Sequence, residues 1–329
     1  MPSLPSRQQE VLRATVRHYV DTVEPVGSNM LVRRFGLPAS AATVRSAMGA
    51  LEQRGLLTQP HTSAGRIPSQ QGYRFYVDEL LPAPSAAALQ LERELSGMGL
   101  QWAALDDLLQ HLARRLSDLT GLFSLITRPQ RPEPQLQAIR LVSSSDRLLV
   151  FLVQGQALST SLNLRLPPGE NEALPILERW LNNQLDAGTK GCIAWGQLPA
   201  ELRRSGTLLQ QALESHARFR QQETSAAVAA GLSGLLGQPE FHRTASLRPL
   251  LQLVEESPQK VLGPGPGSIW IGTEHPHSAL EQCSVVQAPY RSGDGGLGQV
   301  ALVGPMRMAY ATARVAVQSV AAILQRLLS

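Results

Sequence analysis

Apolar positions in the first eighty residues recur with a helical period. Leu12, Val16, Tyr19 and Val20 fall at i, i+4, i+7 and i+8 with Arg13 and Arg17 off that stripe, which predicts a helix over 5–21 capped by Ser6. Glu24-Pro25-Val26-Gly27 breaks the pattern. A shorter helix is expected from Ser28 to Phe35, where Met30, Leu31 and Phe35 are apolar, Arg33 and Arg34 polar, and Gly36 ends it. Ser40 is placed to cap a third helix running to Arg54. Its Val44, Ala47, Met48 and Leu51 trace i, i+3, i+4 and i+7, and Gly55 suits a C-terminal cap that needs positive φ. Two β-prone stretches, Leu56 to Gln59 and Arg66 to Ile67, flank the polar loop His61-Thr62-Ser63-Ala64-Gly65. A helix over 70–81 closes the unit.

Past Pro82 and Pro84 the pattern is helical and Leu-rich from Ala86 to Thr127, weakest at 97–99, and a Pro-rich joint spans 129–134. Segments 136–143 and 147–160 read as two strands joined by Ser144-Ser145-Asp146, and a helix is expected over 170–185. The pattern is helical again over 198–257, and Gly263-Pro264-Gly265-Pro266-Gly267 reads as a loop or joint. Strand-like segments return at 268–272, 283–290 and 298–303, before a long helix from Met306 to Leu328. Strands on both sides of a helical block predict an α+β domain interrupted by an inserted, mainly helical one. The expected fold class is thus α+β multidomain, divided as 1–82, then 83–195 together with 264–329, with 196–263 as the insertion.

Composition narrows the picture only a little. A chain of 329 residues is too long for one small core. Aromatic content of 5% leaves the core to Leu, Val, Ile and Ala. The formal charge of +4 is compatible with a polyanionic partner. Lys190 and Lys260 are the only lysines, and arginine's planar fork suits phosphate and guanine edges; a GC-rich coding sequence would give the same bias. No apolar run reaches the roughly 18 residues that span a bilayer, and the opening MPSLPSRQQEV lacks a secretion-signal pattern. A soluble, cytoplasmic protein with no membrane partner is expected. Cys192 and Cys283 form neither a disulfide framework nor a metal knuckle.

Three helices with a tight connection before the third form a helix-turn-helix arrangement, whose third helix would enter a major groove. Removing the apolar stripe leaves Ser40, Ala42, Thr43, Arg45, Ser46 and Gly49 facing outward. Arg45 is the candidate for a bidentate guanine contact, and Thr43 and Ser46 could bond bases or phosphates. The plainer alternative makes Arg45 a solvated helix residue or a partner of Glu52. The loop His61-Thr62-Ser63-Ala64-Gly65-Arg66 offers short hydroxyl side chains and free backbone N–H groups for phosphate, with Arg66 able to lie along a backbone or enter a narrow minor groove. No acidic residue stands between Glu52 and Asp78. The expected DNA contacts are therefore Ser40, Thr43, Arg45, Ser46, His61, Thr62, Ser63 and Arg66.

Residues 4–81 resemble the N-terminal domain of the heat-inducible transcription repressors of the HrcA family. The resemblance rests on Arg7-Gln8-Gln9, Glu24-Pro25-Val26-Gly27-Ser28, Ala42-Thr43-Val44-Arg45, Met48, Leu51-Glu52, the run Gln59 to Pro68, and Gly72-Tyr73-Arg74-Phe75-Tyr76-Val77-Asp78. Further matches are Leu235 to Phe241, Ile271-Gly272 with Glu274, Cys283-Ser284, Gly304-Pro305, Arg307-Met308 and Tyr310. The resemblance implies a winged helix-turn-helix, a GAF-like α+β domain and a dimerising domain inserted into it. It also implies a homodimer on an inverted-repeat double-stranded operator ahead of chaperone genes, with the GroEL chaperonin as a further partner that keeps the repressor active. The third helix departs from the family's usual Ser-Pro-Ala-Thr-Ile-Arg-Asn: Ala41 replaces the proline and Ser46 the asparagine. Asn can read adenine bidentately and Ser cannot, so base preference is expected to differ there.

Three rival classes compete with this reading, of which pure scaffolding leaves the polar loop at 61–66 unexplained. His275, His277 and Cys283 lie close in sequence, but their spacing fits no zinc pattern and Pro276 splays the histidines; an enzyme is not expected, nor a cofactor. The alternative is a small-molecule-gated winged-helix regulator using the GAF-like domain as sensor, for which no convergent polar cluster is visible.

Overall fold

The computed structural model describes residues 4–61, 65–84, 86–97, 104–131, 136–144, 146–154, 158–186, 193–224, 227–241, 244–265 and 268–329. Helix α1 (Ser6–Thr22) buries Val11, Leu12, Ala14 and Val16 and leaves Arg13 and Arg17 in solvent. It stops at Val23, which adopts a left-handed φ of 62° and returns its N–H to the Tyr19 carbonyl at 3.0 Å. Pro25 disfavours helical backbone at Glu24, so the chain must turn here. Helix α2 (Ser28–Phe35) buries Leu31, and helix α3 (Ala41–Gln53) buries Val44, Ala47, Met48 and Leu51 against α1 and α2. Strands β1 (Leu57–Thr58) and β2 (Ile67–Pro68) pair antiparallel. Helix α4 (Gln70–Phe75) then runs into a π-helical turn, Tyr76–Leu80.

Helices α5 (Ala86–Ser96) and α6 (Leu105–Thr120) lead into β3 (Phe123–Thr127), all five residues of which are buried. Continuous helix was expected through 127. Gly121, at φ 68°, ends α6 instead, and a short apolar run buried on both faces carries no period that separates strand from helix.

The chain next forms a separate compact unit, 131–225. Strands β4 (Leu136–Ser144), β5 (Arg147–Gln154) and β6 (Leu158–Arg165) make an antiparallel meander, so the single strand expected over 147–160 is two. Helices α7 (Leu174–Asp186) and α8 (Arg203–Thr224) follow. One sheet face buries Ile139, Leu148, Val150 and Leu152 with Leu177, Leu181, Leu202 and Leu209. Side chains of α7 cap the free edge of β4. Asn182 accepts from the Ile139 N–H at 2.9 Å and donates to its carbonyl at 3.0 Å, while Glu178 accepts from the Leu141 N–H at 2.8 Å. An edge strand is thereby closed to further pairing on that side.

The larger unit resumes with β7 (Ala227–Ala230), α9 (Leu232–Leu236), α10 (Thr244–Glu256), β8 (Ile269–Ile271), β9 (Cys283–Arg291), β10 (Leu297–Pro305) and α11 (Tyr310–Leu327). Five strands form an antiparallel sheet in the order β7-β3-β10-β9-β8. One face packs Ile126, Val286, Ala288, Val300 and Leu302 into a core shared with α6, α11 and the N-terminal helices. The other packs Phe123, Leu125, Val285, Ala301 and Val303 against Leu235, Phe241, Leu250, Leu253 and Val261.

This pairing corrects the expected division. The compact unit that interrupts the α+β body is 131–225, not 196–263, and it is a mixed sheet-and-helix unit rather than a mainly helical one. Because β3 and β7 pair directly, Ser124 opposite Ala230, the excursion is inserted between neighbouring antiparallel strands. The segment 136–165, assigned by pattern to the larger domain, belongs to the excursion, and 227–261 belongs to the larger sheet.

A polar junction fastens α4 to the sheet. Arg74 donates from Nε to Glu274 Oε1 at 2.9 Å and from Nη2 to Glu274 Oε2 and the Ile269 carbonyl, while Nη1 meets Asp78 at 3.1 Å. Glu274 also accepts from the Ile271 N–H at 3.0 Å, and Gln70 Oε1 accepts from both the N–H and hydroxyl of Thr273. Tyr73 packs against Tyr310, ring centroids 6.1 Å apart. Hydrogen bonds to charged, half-buried groups contribute about 1.5–3 kcal/mol. Arg74→Ala should therefore destabilise the larger unit by roughly 1–3 kcal/mol, read as a lower thermal midpoint; an unchanged midpoint would show that the junction contributes nothing to stability.

Candidate nucleic-acid interface

Ser40 is extended, and its Oγ accepts from the Thr43 N–H at 3.1 Å, which fastens the start of α3. The same oxygen lies 2.9 Å from Thr43 Oγ1, so the two hydroxyls hold each other. Thr43, Arg45 and Ser46 are exposed on the face opposite the buried stripe. Arg45 meets no ion-pair partner among the described residues, and the carboxylate of Glu52, its alternative partner, is held by Arg66 instead.

The β1–β2 hairpin is fixed to the α1–α2 connection by a third short pairing. Val26 and Arg66 exchange both backbone hydrogen bonds, at 3.0 and 2.9 Å. This close approach requires glycine at 65, where a Cβ would sit 2.5 Å from the Val26 carbonyl. Gly72 is required for a similar reason: a Cβ would overlap the Leu56 carbonyl oxygen. Ser69 caps α4 by accepting from the Gly72 N–H at 3.0 Å, and it donates to the Gly55 carbonyl at 2.5 Å, tying the end of α3 to the start of α4. His61 is exposed at the hairpin. Thr62 and Ser63 lie outside the described residues.

Electrostatics at the α1–α2 corner are set by stacked arginines. The guanidiniums of Arg17 and Arg34 lie 5.5 and 5.6 Å from the centre of the Phe35 ring. Arg34 also donates to Asp21 at 2.6 Å and lies 3.2 Å from Nδ1 of the buried His18. Burial, and then the charge of Arg34, hold the His18 pKa below its ordinary value. Arg33 and Arg54 are exposed and, like Arg45, meet no ion-pair partner among the described residues. They add positive charge to the exposed surface of α2 and the end of α3, and the periodicity that marked Arg33 as polar was the signal that could have nominated it.

In the histidine–cysteine group near 275–283, His275 and Cys283 are buried and His277 is half-buried. His275 is buried, with Nε2 3.1 Å from the Val261 carbonyl and Nδ1 accepting from the His277 N–H. Burial lowers its pKa and pushes the Cys283 thiol up to about 12. That thiol is the opposite of an activated nucleophile.

The family model described as the HrcA protein C-terminal domain matches residues 106–313. A heat-inducible transcription repressor HrcA from Synechococcus sp. (strain RCC307) is 65% identical over the whole of both chains. Another, from Prochlorococcus marinus (strain MIT 9313), is 62% identical over all of this chain and 94% of its own length. The chain belongs to the heat-inducible transcription repressor HrcA family. A crystal structure titled as a hypothetical protein shares the fold, with a TM-score of 0.59, 24% identity and coverage of 99% of this chain and 97% of that one. The HrcA runs scattered through the sequence meet in space: Tyr73 and Arg74 reach Ile269, Glu274 and Tyr310, Tyr310 bonds Ser284 at 2.8 Å, and Arg307 pairs with Glu240 and Gln238.

Two outcomes follow from the geometry. Gly65→Ala should separate Val26 from Arg66 and cost roughly 1–3 kcal/mol of stability, seen as faster amide exchange at both residues; unchanged exchange would remove the steric argument. With the His18 pKa below its unfolded value of about 6.5, the folded state binds fewer protons than the unfolded one. Stability is therefore complete above that pH and declines as pH falls through the folded pKa. Thermal melts between pH 7.5 and 5 should show this decline. His18→Gln should flatten it in part, His275 supplying the rest.

Proposed function

We propose that the chain represses transcription as a homodimer, reading an inverted-repeat operator with two winged helix-turn-helix domains. The observation that carries this reading is the face of α3. Thr43, Arg45 and Ser46 are exposed together beside a hairpin held by Val26 and Glu52, and Arg45 is free of ion-pair partners among the described residues. In this reading α3 is the recognition helix, Arg45 binds a guanine edge, and Ser46 and Thr43 contact neighbouring bases or phosphates. Ser40 acts through the helix cap, and His61, Thr62 and Ser63 belong to a wing that contacts the DNA backbone. The larger sheet serves as the GAF-like body.

Two-fold operators require two-fold proteins. We assign the dimer contact to the unit 131–225. The β4–β5 register puts Val142 opposite Leu149 and Ala138 opposite Val153, on the sheet face that Leu148, Val150 and Leu152 do not occupy. Val142 is 48% exposed there, and Leu149, Phe151 and Val153 are only half-buried. Of the insertion 196–263, first expected to dimerise, the part beyond 226 buries Leu235, Phe241, Leu250 and Leu253 inside the larger unit. The family resemblance supports chaperone genes as targets and the GroEL chaperonin as the partner that sustains activity.

Arg45→Ala should lower affinity for the operator by roughly 1–3 kcal/mol while leaving binding to unrelated duplex nearly unchanged; an equal loss on both would remove Arg45 from base readout. Phe151→Asp should convert the dimer to monomer in light scattering and abolish cooperative operator binding. A wild-type monomer at DNA-binding concentrations would sink the scheme. Operator binding followed against temperature, with and without chaperonin, separates chaperonin control from intrinsic heat sensing.

A further inference from the structure

Arg66 was expected to grip phosphate, yet its guanidinium is occupied. Nε and Nη2 both point at Glu52 Oε2, each at 2.8 Å, with the side chains only 23% and 34% exposed. The Nε–Nη2 edge, which would hold a phosphate in bidentate fashion, is the edge already on the carboxylate. Glu52 itself stands in the last turn of α3, where the helix dipole disfavours a negative charge. It also lies on the helix proposed to approach a polyanion, where an uncompensated carboxylate would repel the ligand. Both penalties are offset by one partner, Arg66, which is also the residue whose backbone pairs with Val26. The hairpin is thus held from two directions, by backbone at Val26 and by side chain at Glu52.

We propose that Glu52 is a positioning residue for DNA binding: its ion pair with Arg66 is a strut that sets the hairpin relative to the exposed face of α3, and Arg66 acts through that strut rather than by neutralising a phosphate. The inference rests on the DNA-binding reading above. The pair is electrically neutral as a whole, so it releases no counterion when DNA binds. A strut and a phosphate contact therefore differ in salt dependence as well as in affinity.

Full-length Arg66→Ala, Arg66→Lys, Glu52→Gln and the double variant Glu52→Gln/Arg66→Ala are compared with wild type on operator duplex over a range of salt. A strut predicts that each single variant weakens operator binding roughly fivefold to thirtyfold. It also predicts that the double variant, which leaves no charge unpaired, keeps the wild-type log–log salt slope and is no weaker than the singles. Lysine keeps the charge but lacks the fork, so it should not rescue. The proposal is overturned if the double variant Glu52→Gln/Arg66→Ala makes the slope shallower by about one unit. Tighter binding by Glu52→Gln also overturns it, because that carboxylate would then be restraining a phosphate contact. Amide exchange at Val26 and Arg66 in the DNA-free protein tests the strut without DNA. Glu52→Gln should speed it about tenfold, equivalent to about 1.4 kcal/mol, and unchanged exchange rejects the strut. Failure of wild type to bind operator, with faster exchange in Glu52→Gln, would reject the DNA-binding reading and the positioning role together while retaining the ion pair as a structural element.

Discussion

The architecture of the larger unit depends on one constraint: its three inner strands are apolar on both faces. Phe123 and Leu125 of β3 face one side and Ser124 and Ile126 the other, and all are buried. Val285 and Val286 of β9, with Val300 to Val303 of β10, divide between the same two cores. Such a sheet is stable only when helices cover both sides. On one face that cover comes from α6 and α11, in a core that continues into the N-terminal helices; on the other it comes from α9, α10 and the turn at 258–261.

This continuity matters for the N-terminal helices. Local helical stripes build α1, α2 and α3, but their orientation is set by polar connections that carry little of the burial. Ser69 joins α3 to α4, Val26 joins the hairpin to the α1–α2 turn, and Arg74 joins α4 to the sheet through Glu274. Directional hydrogen bonds specify geometry that apolar contact alone leaves free. Gly65 and Gly72 stand where backbones approach too closely for any side chain. Gly65, Gly72 and Arg74, all within the HrcA runs, are accordingly structural constraints.

The excursion at 131–225 is inserted where a hairpin loop would otherwise join β3 to β7. Extending a loop between paired strands adds little to the cost of closing it, because that cost grows only with the logarithm of length. The α+β body keeps its topology, and the inserted unit carries its own core around Leu148, Val150 and Leu177.

The sequence by itself determined the N-terminal helices, the Ser40 cap, the outward face of Thr43, Arg45 and Ser46, the strands expected at 283–290 and 298–303 and the terminal helix. Each is written in local periodicity, in capping chemistry or in glycine placement. Family membership was legible too, in runs whose order is specific. Only the tertiary structure decided that Phe123–Thr127 and Ala227–Ala230 are paired strands, because strands buried on both faces show no alternation to read. It alone decided where the inserted unit begins and ends, since that follows from which distant strands pair. It also decided the state of Arg66. Glu52 and Arg66 are separated by fourteen residues and a turn of the chain, and no local pattern reveals that a basic residue on a phosphate-friendly loop has its charge directed inward, onto the helix it supports.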